Sequence, residues 1–107
     1  MAVISLPQAV EQFVSATNAH DADALYAVFA PGAVVVDDGA TFATEDELRG
    51  LIKNQIVGVK VVLTPISYDA DRLVASGAGE FPGSPLTFAF TFTTKDDLIT
   101  HLSIELV

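Results

Sequence analysis

Asp37 and Asp38 follow Val34-Val-Val36 directly and precede Gly39, which sets a carboxyl group at the end of an apolar run. An acid among apolar neighbours loses hydration, its pKa rises, and it becomes a usable general base near neutral pH. Successive residues of an extended chain point to opposite faces, so the two acids share no proton without a local bend. Asp37 is therefore read as inward and Asp38 as a turn residue with Gly39. A plainer reading makes Asp37 a strand-end acid that only supports that turn. The second titratable candidate is His101, four residues before Glu105. On a strand those two lie about 13 Å apart, too far to share one metal ion. His101 could donate to a substrate oxygen or exchange a proton; it could equally be a solvent-facing histidine on a half-exposed sheet. His20, in a polar link, reads as a surface residue.

Other chemistry is struck off by motif. Gly77-Ala-Gly79 lies in a strand-rich region and opens no helix, so it is no dinucleotide fingerprint. No P-loop, G-x-S-x-G elbow or HExxH motif occurs. Cys is absent and His occurs twice, so no metal site, thiol nucleophile or disulfide is expected. No external cofactor is implied.

The elements that must position Asp37 and His101 change in kind along the chain. Leu6, Val10, Phe13, Val14 and Thr17 recur at helical spacing behind a possible capping box, Ser5-Leu6-Pro7-Gln8. Asn18-Ala-His-Asp21 breaks that helix, and Asp21 is a natural cap for a second one carrying Ala22, Leu25, Val28 and Phe29. Pro31-Gly32 should stop it. Ala33–Asp37 reads as a strand, Asp38-Gly39 as a tight turn and Ala40–Phe42 as its return. Thr44-Glu-Asp-Glu47 is a capping box opening a third helix with Leu48, Leu51, Ile52 and Ile56 on its apolar face. From Gly58 the period becomes two. Val59–Tyr68, Arg72–Glu80, Leu86–Thr94 and Leu98–Leu106 are candidate strands with short links, hence an antiparallel meander. Helices gathered before a meander indicate an α+β domain.

The 107 residues fit one domain spanning 1–107, and half of them are apolar. Asp and Glu outnumber Lys and Arg 14 to 5, a formal charge of −9. That balance opposes nucleic-acid binding and anionic membrane surfaces. Met1–Pro7 has no basic region followed by a long apolar one, and no run is long enough to span a bilayer. A small, acidic, cytoplasmic domain is the expectation.

Phe13, the link Asn18-Ala-His-Asp21 and the run Phe29-Ala-Pro-Gly-Ala-Val-Val-Val-Asp37 carry a family likeness. With the order helix–helix–strand–helix–meander, they resemble the nuclear transport factor 2-like superfamily, its SnoaL-like and ketosteroid-isomerase-like members above all. The likeness runs from about Val10 to Gly39; Thr44–Leu51 resembles the third-helix entry, and the last four strands agree by pattern and length. It implies a cone-like curved antiparallel sheet wrapped around the N-terminal helices and enclosing an apolar pocket. It places Asp37 on the base that moves a proton between carbons. The two oxyanion donors of steroid isomerases fall on Phe13 and Phe88, and neither ring can donate a hydrogen bond. Loss of one such donor costs about 3 kcal/mol of transition-state stabilisation, so steroid isomerisation is disfavoured. The same resemblance turns His101, Ser103 and Glu105 into the pocket.

The expected site is thus Asp37 as base and His101 as acid or orienting donor. Phe13, Thr17, Tyr26, Val35, Phe88, Phe90, Ser103 and Glu105 are expected around it. Its ligand would be a small, apolar carbonyl compound, handled by proton transfer of isomerase or lyase type. The alternative is a non-catalytic dimeric binding module. If His101, Ser103 and Glu105 face inward, Leu102, Ile104 and Leu106 must face outward, where a patch of that kind should be covered by a second copy of the chain.

Overall fold

The computed structural model describes residues 6–107. Helix α1 (Gln8–Asn18) begins behind Pro7; the expected Ser5 cap lies outside the described residues. Its buried face is Ala9, Val10, Phe13, Val14, Ala16 and Thr17. The Thr17 hydroxyl donates to the Phe13 carbonyl at 2.7 Å, so this buried polar group is satisfied within its own helix. Helix α2 (Ala22–Ala27) is capped by Asp21, whose carboxylate accepts from the Ala24 N–H at 3.0 Å. Between the helices His20 takes a left-handed φ of 54°. Its Nε2 is buried without a partner among the described residues, not on the open surface as expected.

Strand β1 (Phe29–Asp37) starts earlier than Ala33 and carries Pro31-Gly32 inside it. These two residues do not end α2. They sit where pairing to the neighbouring strand is irregular, between Phe29 and Val34, and a proline without an N–H is tolerated at such a bulge. Asp38 and Gly39 both take positive φ (49° and 84°), the geometry of a tight hairpin turn, and lead into β2 (Ala40–Phe42). Helix α3 (Glu45–Leu51) has the full capping box. Thr44 Oγ1 accepts from the Glu47 N–H, and the Glu47 carboxylate accepts from the N–H groups of Ala43 and Thr44. Those donors hold Glu47 below the ordinary carboxylate range.

After Leu51 the helix widens into a π-helix, Ile52–Val57, closed by a bond from the Gly58 N–H to the Lys53 carbonyl at 2.8 Å. The meander follows as β3 (Val62–Asp69), β4 (Arg72–Ala78), β5 (Leu86–Lys95) and β6 (Leu98–Leu106). β3 starts after Val59 because the Val61 N–H is still bonded to the Ile56 carbonyl. The six strands lie in the order β2-β1-β6-β5-β4-β3 as one curved, unclosed sheet. The sheet is mixed, not wholly antiparallel, because β1 pairs with β6 in parallel. That pairing sets Val35 opposite Leu102 and Asp37 opposite Ile104.

Helix α1 crosses the concave face, where Phe13 meets Phe29, Phe90 and Phe92 edge-on at centroid distances of 6.4, 5.5 and 5.4 Å. Its C-terminal end is pinned differently. The Asn18 amide accepts from the Leu63 N–H at 2.6 Å and donates to the Leu63 carbonyl at 3.0 Å, so the side chain pairs with β3 as a neighbouring strand would. β3 is an edge strand, and an unpaired N–H and C=O there would otherwise lie against the helix. Replacing Asn18 by Ala should therefore lower unfolding free energy by about 2 kcal/mol in urea titrations, since two partly buried backbone groups lose their partner. A loss below about 0.5 kcal/mol would mean that water takes over both bonds.

Candidate functional site

The concave face is not completely filled. Below α1 lies a cavity of ≈ 80 Å³ whose walls come from six elements and the link before β3. Phe13 and Thr17 descend from α1, Asp37 and Ile104 from the paired ends of β1 and β6, and Phe88 and Phe90 from β5. Gln55 and Ile56 from the π-helix, with Val61 and Leu63, close it. A wider mouth of ≈ 350 Å³ shares Asp37, Gln55, Val61 and Phe88 with it. Asp38, Asn54, Phe81, Leu86, Glu105 and Leu106 complete that mouth together with Val59. The two spaces form a funnel with the Asp37 carboxyl at the neck.

Each wall residue has a local reason for its position. Phe88 stands where it does because Gly77 on the neighbouring strand has no side chain. A Cβ there would lie 2.7 Å from the Phe88 ring, so Gly77 lets the ring lie back against the sheet. Asp37 points inward because Val35, two residues earlier, is fully buried on the same face. Burial pushes the Asp37 carboxyl above the ordinary carboxylate range, and the adjacent Asp38 charge pushes it further in the same direction. The Asp38 N–H is bonded to the Ile104 carbonyl at 3.1 Å, which fixes the turn against β6.

Of the residues expected from sequence, Asp37, Phe13, Thr17, Phe88 and Phe90 meet in the inner cavity, and Glu105 stands at the mouth. Val35 is in the core behind the site, with no exposed surface. Tyr26 does not rim the funnel. It lies in a separate recess with Arg49 and Lys53, the Arg49 guanidinium 3.9 Å above its ring centroid.

The inward placement of His101 and Ser103 is overturned. Leu102 and Ile104 are buried, at 1% and 7% exposure, while His101 is exposed and Ser103 half-buried between them. His101 pairs with Val34 and Thr93, and Ser103 with Val36 and Thr91, all on the sheet's convex side. The cause is a register irregularity between Thr93 and Thr94 that skips Thr100. It lets Ile99 and Leu102, three apart, both face the core, and a one-residue slip inverts every side chain beyond it. Asp37 and His101 therefore stand on opposite faces of the sheet. The outer patch of Leu102, Ile104 and Leu106 expected to drive a dimer is likewise corrected. Two of its members are core, and Leu106, 56% exposed, lines the mouth.

The amides of Asn54 and Gln55 were missed. Gln55 stands at i+7, i+4 and i+3 from Leu48, Leu51 and Ile52, so its signal in the sequence is a polar residue on the apolar stripe of the third helix. Both amides lie in the π-helix, and such widened turns recur at functional sites. Among the described residues no group of three or more His, Asp or Glu is placed to hold a metal ion.

The architecture has measurable likenesses. A profile of the SnoaL-like domain matches residues 10–102. A Sinorhizobium meliloti protein provisionally designated a polyketide cyclase is 35% identical, over 94% of this chain and 95% of that one, with a TM-score of 0.81. A Catenulispora acidiphila protein of ketosteroid isomerase-like fold, crystallised with trimethylamine, is 20% identical over 94% of this chain and 86% of its own (TM-score 0.72). A Mycobacterium tuberculosis protein crystallised with estradiol-17β-hemisuccinate is 18% identical over 92% and 91% of the two chains (TM-score 0.72). No match is found among curated proteins. No helix among the described residues is long and apolar enough to cross a membrane.

The raised Asp37 value fixes the sign of a stability effect. Between the unfolded-chain value and the folded one, the native state holds more protons, so stability falls as pH rises through that window. Above it the cost is fully present. Asp37→Asn is thus expected to be neutral or stabilising at pH 7, with the gain vanishing as pH is lowered through the window. Asp38→Asn should lower the Asp37 value without restoring it fully, because desolvation is the larger cause. Carboxyl NMR titration reads both; an Asp37 value at or below that of a model peptide would remove it as a base.

Proposed function

The chain belongs to the SnoaL-like domain family, whose fold commonly binds small ligands and includes polyketide cyclases, and on that ground we propose that it binds a small apolar carbonyl compound and moves a proton on it with Asp37 as base. The observation that carries this reading is a half-buried carboxyl at the neck of a funnel whose inner walls are mostly apolar. A proton on carbon next to a carbonyl is weakly acidic, and its removal needs an unsolvated base held beside an apolar binding wall. Phe13, Phe88, Phe90 and Ile104 supply that wall. The 35% identical relative supports the reaction class, since polyketide cyclisation also begins by deprotonating carbon next to a carbonyl.

In the reaction the Asp37 carboxylate takes a proton from the α-carbon. The C–H pair becomes the new C=C bond, and the carbonyl pair moves onto oxygen. Return of the proton to another carbon completes an isomerisation; attack of the carbanion on a second carbonyl, whose oxygen then takes the proton from Asp37, completes a cyclisation. No cofactor takes part. A second reading, a binding module without catalysis, draws on Phe13 and Phe88, which stand in the cavity and donate nothing.

Conversion of 3-cyclohexenone to 2-cyclohexenone, followed by ultraviolet absorbance, separates the two. The proposal expects turnover that Asp37→Asn lowers by about 10²–10⁴-fold, with binding of the product retained. Binding without turnover in the wild type would favour the module. The mouth adds a charge rule. Asp37, Asp38 and Glu105 line it and no Lys or Arg does, so cyclohexyl methyl ketone should raise the melting temperature more than cyclohexanecarboxylate at pH 7.

A further inference from the structure

The proton-transfer reading leaves one charge unattended. As the α-proton departs, negative charge develops on the carbonyl oxygen, and a site that carries out this step presents a donor to it. Phe13 and Phe88 offer none. Three polar side chains line the inner cavity: Thr17, Asp37 and Gln55. The Thr17 hydroxyl proton is committed to the Phe13 carbonyl at 2.7 Å. Asp37, as the base, is an acceptor. Gln55 remains. Its side chain makes no hydrogen bond with another described residue, it lines both the cavity and the mouth, and its carboxamide carries two N–H donors. No cation competes for the task, since neither part of the funnel is lined by Lys or Arg.

We propose that Gln55, on the π-helix wall of the funnel, is the group that hydrogen-bonds the substrate's carbonyl oxygen and stabilises the enolate formed there. This rests on the reading of Asp37 as base. The substrate's carbonyl is then oriented toward the π-helix wall and its α-carbon toward the end of β1. The ligand class is narrowed accordingly, to neutral ketones or enones whose oxygen accepts one or two amide N–H bonds. Gln55 and Ile56, both on the π-helix, line the same cavity.

The test compares wild type with Gln55→Leu, which keeps comparable side-chain bulk and removes the donors. Gln55 is exposed to the funnel and outside the core, so the variant should fold; its melting curve checks that. Binding of 2-cyclohexenone and of cyclohexene, the same ring without the oxygen, is measured for both proteins, with the infrared carbonyl band of the bound ketone. The proposal expects Gln55→Leu to weaken the ketone by about 3–10-fold while leaving the hydrocarbon unchanged, to shift the carbonyl band to higher frequency, and to lower kcat for 3-cyclohexenone more than it raises KM. Equal weakening of both ligands would make Gln55 a wall residue and overturn the proposal. So would a still carbonyl band accompanied by a rise in the Asp37 titration, which would make Gln55 a donor to Asp37. If the wild type binds both rings and turns over but the carbonyl band is that of an unbonded ketone, Gln55 is excluded and the Asp37 reading stands. If the wild type binds neither ring, both fall together.

Discussion

Phe13 is the contact on which the remaining architecture rests. It is fully buried, and its ring meets aromatic rings from β1 and β5 edge-on, so one side chain ties the first helix to strands far apart in sequence. A buried aromatic ring removes some 150–250 Å² from water and gains further from edge-to-face geometry. The sheet curves around that ring, and the curvature is what leaves unfilled space beneath the helix. The same constraint dictates chemistry. Packed edge-on against three phenyl rings, Phe13 anchors the fold, and it also lines the cavity with no hydrogen-bond donor to offer.

The funnel is accordingly assembled from a rigid apolar part and a polar part that arrives from elsewhere. The rigid part is held by backbone pairing. Parallel pairing of β1 with β6 fixes Asp37 beside Ile104, and the Asn18 amide pins β3, whose Leu63 is a wall of the cavity. Gly77 leaves Phe88 the room to lie flat. Asp37 is the one group in this arrangement that works against the fold, because it is desolvated and sits beside a second acid. A carboxyl kept in that state at a net charge of −9 is a persistent cost to stability. The proposed role of Asp37 draws on that cost: what makes the carboxylate uncomfortable in the folded state makes it ready to accept a proton.

The polar part comes from a stretch of helix that departs from regular geometry. Gln55 continues the stripe of Leu48, Leu51 and Ile52, which are buried along the same helix, and it lines the funnel with Asn54 beside it. The convex side of the sheet, in contrast, carries His101, Ser103, Thr91 and Thr93 with Val34 and Val36, and only further along β6 does Glu105 reach the mouth. The division is between a concave face that holds the cavity and a convex face that does not.

Much was legible from local chemistry. Asp21 and Thr44-Glu47 announce helix starts because their side chains satisfy free N–H groups within a few residues. Asp38-Gly39 announces the hairpin because two successive positive φ angles suit few other residues. Phe13, Thr17, Asp37, Phe88 and Phe90 reach the cavity as the periodicities and the family likeness imply. What depended on long-range pairing was not legible. A bulge costs one residue of register and leaves no mark in composition, so alternation in the last strand could not say which face was inward, and His101 and Leu102 exchanged sides. Likewise nothing in Ile52–Val57 signals a π-helix over an α-helix, because the choice is made by what the turn packs against. Sequence determined most of the elements, the caps of α2 and α3 and the acid at the end of β1; the tertiary structure alone decided which side chains share the space around it, because facing is set by pairing between distant strands.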